Sequence, residues 1–468
     1  MQTASFFRYI QRRPYPAFFA CFLLAALIGM FSSCKKFLDE KPDRKISTPQ
    51  NLSDLDGMLD YYFGLNARFP MSGEVSADNY YLTDAGWAAT NEQQRNLYLW
   101  QKYDRVLTEW SAPYNNIYYA NVIFYNLNLL NITPSGLQQA NEIKGSAFFI
   151  RAMNHFALVQ LFAPVYQKET AANTLGIPLR LNENYNEPVV RSSVMENFSS
   201  IVSDLKEAIP LLPQSQPRKY RPGRAAAYGL LARTFLYMQE YEQAKRYADS
   251  CLLLYNTLID YNTINATASI PFIQFNNEVI YDARSSPPTA LLATRAKVDT
   301  VLYSQYEEND LRKAVFFINN TDGSKAFKGN YTGLNNAALF SGIAVDEVYL
   351  IRAEALARLG NTNAALADLN TLLRTRYKKI NNLSTYIDKA AASAADALVI
   401  ILTERRKQLL YRGLRWSDLK RLNLDPSFAV TLIRIINNTR YELLPNSVRY
   451  QLQIDAEAIN LSSMQQNP

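Results

Sequence analysis

The stretch DNYYLTDAGW, Asp78 to Trp87, sets three aromatic rings, Tyr80, Tyr81 and Trp87, beside the Asp78 carboxylate and the Asn79 amide. Flat rings suit the apolar C–H face of a sugar, and neighbouring amide, carboxylate or guanidinium groups suit its hydroxyls. The segment is expected to touch ligand, with Trp87 as the leading ring. The competing expectation is that Tyr80 or Tyr81 packs beneath it, because 31 tyrosines place rings in many loops. Arg284 and Tyr331, in two later loop-like stretches, are second candidates for the same task.

Other chemistries lack their residues. The chain has one histidine, His155, so no cysteine–histidine zinc cluster and no HExxH can be assembled. His155 lies among Phe148, Phe149, Phe156 and Leu158, a setting for a buried structural imidazole. There is no G-x-S-x-G elbow, no Walker loop and no G-x-G-x-x-G after a strand. DLDG at Asp54 to Gly57 starts like a calcium loop, but the later liganding positions do not follow. No cofactor and no metal are expected. Two carboxylates could still meet in space as a glycosidase pair, which needs no local signature.

The N-terminus reads as an export leader. Arg8, Arg12 and Arg13 precede the apolar run Ala17 to Met30, and small residues then lead into Cys34. A bilayer-spanning helix needs about 20 apolar residues, more than this run supplies. Removing residues 1–33, which hold three Arg and no acid, lowers the formal charge from +7 to +4. So weak an excess over a long chain does not call for nucleic acid. Of the three cysteines, Cys21 leaves with the leader, Cys34 is the anchor candidate and Cys251 stands alone. No disulfide is expected, so an exported chain with 48% hydrophobic residues must be held together by burial. Cys251, in CLLLY, reads as a small buried hydrophobe.

Around these residues helical spacing dominates. Residues 34–53 read as a polar tether, and 54–468 as one mainly α domain with loop-rich insertions near 60–108 and 256–339. Asp104 to Leu130 and Gln138 to Phe162 carry apolar residues three or four apart, predicting a helical hairpin. Two later segments share a tetratricopeptide-like pattern. Tyr228, Ala232, Phe235, Ala244 and Cys251 align with Tyr349, Ala353, Leu356, Ala365 and Leu372, the small residues allowing paired helices to approach. EVIYDA, Glu278 to Ala283, predicts a short strand inside the second insertion. In ERRKQLLYRGLRWSDLKR, Glu404, Arg405 and Arg412 gather at a helix end with Gly413 suited to the cap, and Trp416, Asp418 and Arg421 open the next turn. These charges read as a structural lock.

Six motifs in order resemble the SusD/RagB family of nutrient-binding outer-membrane lipoproteins of Bacteroidota. They are CKKFLDEKP at Cys34 to Pro42, WSAPYNNIYYAN at Trp110 to Asn121 and EIKGSAFFIRAMNHFALVQLF at Glu142 to Phe162. GRAAAYGLLARTFLYMQEYEQA at Gly223 to Ala244, DEVYLIRAEALARLGNTNAALADLN at Asp346 to Asn370 and ERRKQLLYRGLRWSDLKR at Glu404 to Arg421 complete the set. Phe31-Ser32-Ser33-Cys34 resembles the lipobox of bacterial lipoproteins, although Leu is usual where Phe31 stands. The resemblance implies lipidation at Cys34, an outer-membrane location facing the exterior, and docking on a SusC-like TonB-dependent transporter. It implies capture of an oligosaccharide, or of a peptide as RagB-like members do, with no bond broken, and family members commonly bind through the Asp78–Trp87 region. An exported glycoside hydrolase and a pure protein-interaction scaffold remain the competing classes. Within the binding class, a pocket walled by Trp and Tyr faces would favour glycan, and a groove with an exposed strand edge would favour peptide.

Overall fold

The computed structural model describes residues 49–103, 107–334 and 337–468. The leader, Cys34 and the start of the tether lie outside the described residues. From Gln50 onward the chain forms one compact unit. Its frame is a succession of helices: α1 (Leu107–Leu129), α2 (Leu137–Phe162), α3 (Val194–Leu211), α4 (Arg224–Tyr237), α5 (Tyr241–Leu254), α6 (Val345–Arg358), α7 (Thr362–Arg374), α8 (Ala394–Gln408) and α9 (Arg415–Leu422). Consecutive helices pack on one another as α1–α2, α2–α3, α3–α4, α4–α5 and α6–α7, and α5 meets α6 across the long insertion. Among the described residues no helix is long and apolar enough to cross a membrane.

The repeat pattern becomes the α4–α5 and α6–α7 pairs. Ala232, Ala244, Ala353 and Ala365 are fully buried at the contacts, where a larger side chain would push the helices apart. Cys251 is buried, its thiol donating to the Ala225 carbonyl at 3.2 Å. The turns between paired helices require left-handed residues, Gln239 (φ +62°) in one copy and Gly360 (φ +82°) in the other. A Ser193–Glu196 capping box starts α3.

Short two-stranded ladders fill the insertions. Val279–Tyr281, inside the predicted EVIYDA strand, pairs with Ile343–Ala344, and Tyr80–Tyr81 pairs with Lys297–Val298. A buried ionic lattice then ties the insertions to the helices. Arg312 joins Asp310 (2.7 Å) and Glu404 (2.6 Å), Arg376 joins Glu278 (2.7 Å), and Arg412 joins Asp346 (2.9 Å). Asp418 takes both Arg405 and Arg421 at 2.8 Å, and Arg421 also grips Glu354. The expected lock around Gly413 (φ +72°) and buried Trp416 is present, but Glu404 and Arg412 find their partners elsewhere, on the insertion and on α6. Burying groups of this kind is tolerable only where each is paired and hydrogen-bonded.

Candidate functional site

The Asp78–Trp87 segment is fixed at its base. The buried helix Ser72–Ser76 receives both carboxylate oxygens of Glu109, from the first turn of α1, on the Met71 and Ser72 amides at 2.8 Å. Asp78 then forms a two-pronged pair with Arg415 (2.6 and 2.9 Å) and meets Arg406 at 3.3 Å. Burial alone would raise its pKa, but the two guanidiniums hold the carboxyl well below the usual range. Asn79 is 1% exposed and donates to Glu74 at 2.7 Å; burial pushes that Glu74 carboxyl up to about 7. Tyr80 is buried, its hydroxyl donating to the Val75 carbonyl at 2.7 Å. Asn79 and Tyr80 therefore present no face to a ligand, and Asp78 is engaged as an anchor. They were expected on the binding surface because their polar and aromatic types suit a loop; Glu74 and Val75 of the Ser72–Ser76 helix take Asn79 and Tyr80, and Arg406 of α8 and Arg415 of α9 take Asp78.

Beyond Tyr80 the segment turns outward. Tyr81 is 37% exposed and stands opposite Lys297 in the ladder. Thr83 caps the helix Asp84–Ala88, accepting from the Gly86 amide at 3.1 Å, and this helix carries half-buried Trp87. The indole N–H donates to the Arg95 carbonyl at 3.4 Å, while the Arg95 guanidinium lies 5.3 Å from the ring centroid. Behind these rings, Gln94 accepts from the Ala290 amide at 2.7 Å and from the Thr289 hydroxyl at 3.1 Å. Arg295 donates to the Thr289 carbonyl at 3.0 Å. Residues 81–95 are thus pinned to 289–298, and of the basic residues on these segments Arg95 lies beside the Trp87 ring, Arg295 is turned to Thr289, and Lys297, opposite Tyr81 in the ladder, pairs its ammonium with Asp322 at 3.4 Å. Sequence reasoning missed these three cations; the only signal was the apolar–basic KV dipeptide that pairs with the two tyrosines.

The second candidates separate. The Arg284 guanidinium rests 5.0 Å from the Tyr62 ring and 5.7 Å from Phe63, itself 66% exposed, so Arg284 keeps a surface position. Tyr331 is 1% exposed; its hydroxyl meets Glu278 at 2.6 Å and Tyr261 at 2.7 Å, and Arg412 covers its ring at 3.7 Å. Its place on a binding surface is corrected: Tyr331 belongs to the buried lattice. His155 is fully buried, and burial together with Arg151 holds its imidazole down to about 3, a neutral structural group. Among the described residues no group of three or more His, Cys, Asp or Glu is placed to hold a metal ion.

Comparison with known proteins converges on one family. Residues 36–236 match a SusD-like family model described as "Starch-binding associating with outer membrane", and residues 343–442 match the SusD family model. A SusD-like protein of Formosa agariphila is 22% identical over 89% of this chain and 94% of its own, and another from that organism is 21% identical over 73% and 76%. A solved putative sugar-binding protein from Bacteroides vulgatus superposes with TM-score 0.74 at 22% identity, covering 90% of this chain and 99% of that one. A SusD superfamily protein from Bacteroides thetaiotaomicron gives 0.73 at 20% identity over 90% and 100%. A laminarin-binding SusD-like protein gives 0.62 at 18% identity over 88% and 97%. With its paired helical repeats, its ion-locked α8–α9 corner and these matches spread along both halves, the chain belongs to the SusD family.

Proposed function

We propose that the protein is a surface lipoprotein, anchored through Cys34, that captures oligosaccharide and passes it to a SusC-like TonB-dependent transporter without breaking a bond. The observation that carries the binding part is the two partly open rings, Tyr81 and Trp87, on a segment pinned at both ends, with the Arg95 guanidinium beside the Trp87 ring. Rings held on so fixed a segment can stack on sugar C–H faces with little loss of side-chain entropy, and the Arg95 guanidinium can donate to hydroxyls. Arg284, with Phe63 and Tyr62, offers a second exposed ring–cation surface for a longer chain. Two likenesses support glycan over peptide: the matched family model is described as starch-binding, and one relative of the same fold binds laminarin.

The deciding experiment measures affinity against panels of glycans and peptides. Trp87→Ala is expected to weaken glycan binding about tenfold, the equivalent of ~1.4 kcal/mol, with Tyr81→Ala somewhat less. Unchanged affinity in both variants would remove the site assignment, and selective binding of peptide would replace glycan as the ligand. For the anchor, mass spectrometry of the protein from its host membrane should find a lipidated N-terminal Cys34; retention of residues 1–33 refutes that part alone.

A further inference from the structure

A cavity of about 420 Å³ lies outside the Tyr81–Trp87 face, walled by α1, the loop 180–190 and the C-terminal helix Ala456–Ser462. Pockets of this size are large enough to enclose a small ligand. From α1 come Trp110, Tyr114 and Tyr118, four residues apart and so on one helical face. Trp110 and Tyr114 have ring centroids 4.9 Å apart and form the inner wall; the Tyr114 hydroxyl is committed to the Pro178 carbonyl at 2.9 Å. Tyr118, 44% exposed, stands at the rim.

The opposite rim is a loop without regular structure that is nonetheless fastened throughout. The Arg180 guanidinium donates to the carbonyls of Asn184 (2.6 Å) and Glu187 (3.1 Å), and Asn182 donates to the Glu187 carboxylate at 2.8 Å. From α1, buried Asn121 donates to the carbonyls of Arg180 (3.0 Å) and Asn182 (2.8 Å), tying the loop to the helix that bears the rings. What this bracing holds out is Tyr185, 76% exposed. Facing it, the C-terminal helix adds Leu461, 82% exposed. Among the described residues no carboxylate lines the cavity, and the one cation there, Arg180, already serves two carbonyls.

Braced rings over an apolar floor, with amides such as Asn115 on the wall, fit a sugar's alternation of C–H face and hydroxyl edge better than a charged ligand. We propose that this cavity is a second binding site, taking a short uncharged hexose oligosaccharide between Tyr118 and Tyr185. The choice of ligand class rests on the glycan-binding reading above; the location does not.

Hydrogen exchange on the intact protein in detergent, with gluco-, manno- and galacto-hexasaccharides as probes, reads the two places separately. The expected result is at least tenfold slower exchange across 180–190 and 456–464 with one of these sugars. That slowing should disappear in Tyr118→Ala and in Tyr185→Ala, both exposed positions whose truncation leaves the core intact, and persist in Trp87→Ala. Slowing confined to 80–88 overturns the cavity proposal and leaves the first site standing, whereas slowing at 180–190 without 80–88 does the reverse. Slowing at 180–190 that survives both tyrosine variants, or no slowing there with any of the three sugars, also overturns it.

Discussion

Asp78 separates two accounts of the same residue, ligand contact or anchor. In the structure its carboxylate is the shared counter-ion of Arg415 (2.6 and 2.9 Å) and Arg406 (3.3 Å), with all three side chains only 15–20% exposed. At an effective dielectric near 20, a unit charge pair about 4 Å apart is worth roughly 4 kcal/mol before desolvation is subtracted. Removing one partner of a buried pair typically costs about 3–5 kcal/mol, and the residual exposure here lowers the expectation for Asp78→Asn to about 2–3 kcal/mol. The loss has a pH signature. The folded carboxyl is held below its unfolded value, so its stabilisation is complete above the unfolded pKa of about 3.9 and fades as pH falls toward the folded one. Urea denaturation at a series of pH values should show wild type ahead of Asp78→Asn at pH 7 and the gap closing below about pH 4. A variant as stable as wild type at pH 7 that has lost glycan affinity would refute the anchor account and restore Asp78 to the binding surface.

Two further perturbations test the frame. Gly413 sits at φ +72° between α8 and α9, with Met71 Sδ 3.2 Å from where a Cβ would be; Gly413→Ala should cost about 1–2 kcal/mol in denaturant unfolding, and a neutral result would mean the corner relaxes freely. His155 is buried with its imidazole held down to about 3, by burial first and Arg151 second, against 6.5 when free. The unfolded chain therefore binds the proton first, and wild-type stability should fall as pH drops from 6.5 toward 3, by roughly 3 kcal/mol at pH 4 from this group. His155→Leu should lose that component of the acid limb; an unchanged pH profile would show that the imidazole titrates normally.

Why the frame was legible in the sequence while the site was legible only in part follows from the range of the interactions involved. Helix pairs are specified by residues three, four and seven apart, so Ala232 and Ala353, Phe235 and Leu356, and the Gly413 stop could be read from local spacing. The lock around Asp418 was readable for the same reason, its two Arg partners being on the same short motif. A residue's exposure, however, depends on partners far along the chain. Asn79 is reached by Arg406 and Tyr331 by Arg412, from positions 327 and 81 residues away, and nothing in DNYYLTDAGW or in KGNYTGLNN announces those contacts. The same blindness works in the other direction. WSAPYNNIYYAN has helical spacing that reads as one core-facing stripe, yet Asn121 turns inward to hold the 180–190 loop while Tyr118 stays open. In this fold, polar side chains within the motifs are spent on bracing, while some rings on the braced segments, Tyr81, Trp87, Tyr118 and Tyr185 among them, keep a face toward solvent. Residue type alone could not make that division, because Tyr80 and Tyr81 are the same residue one position apart: strand alternation sends one ring into the core and the other to solvent.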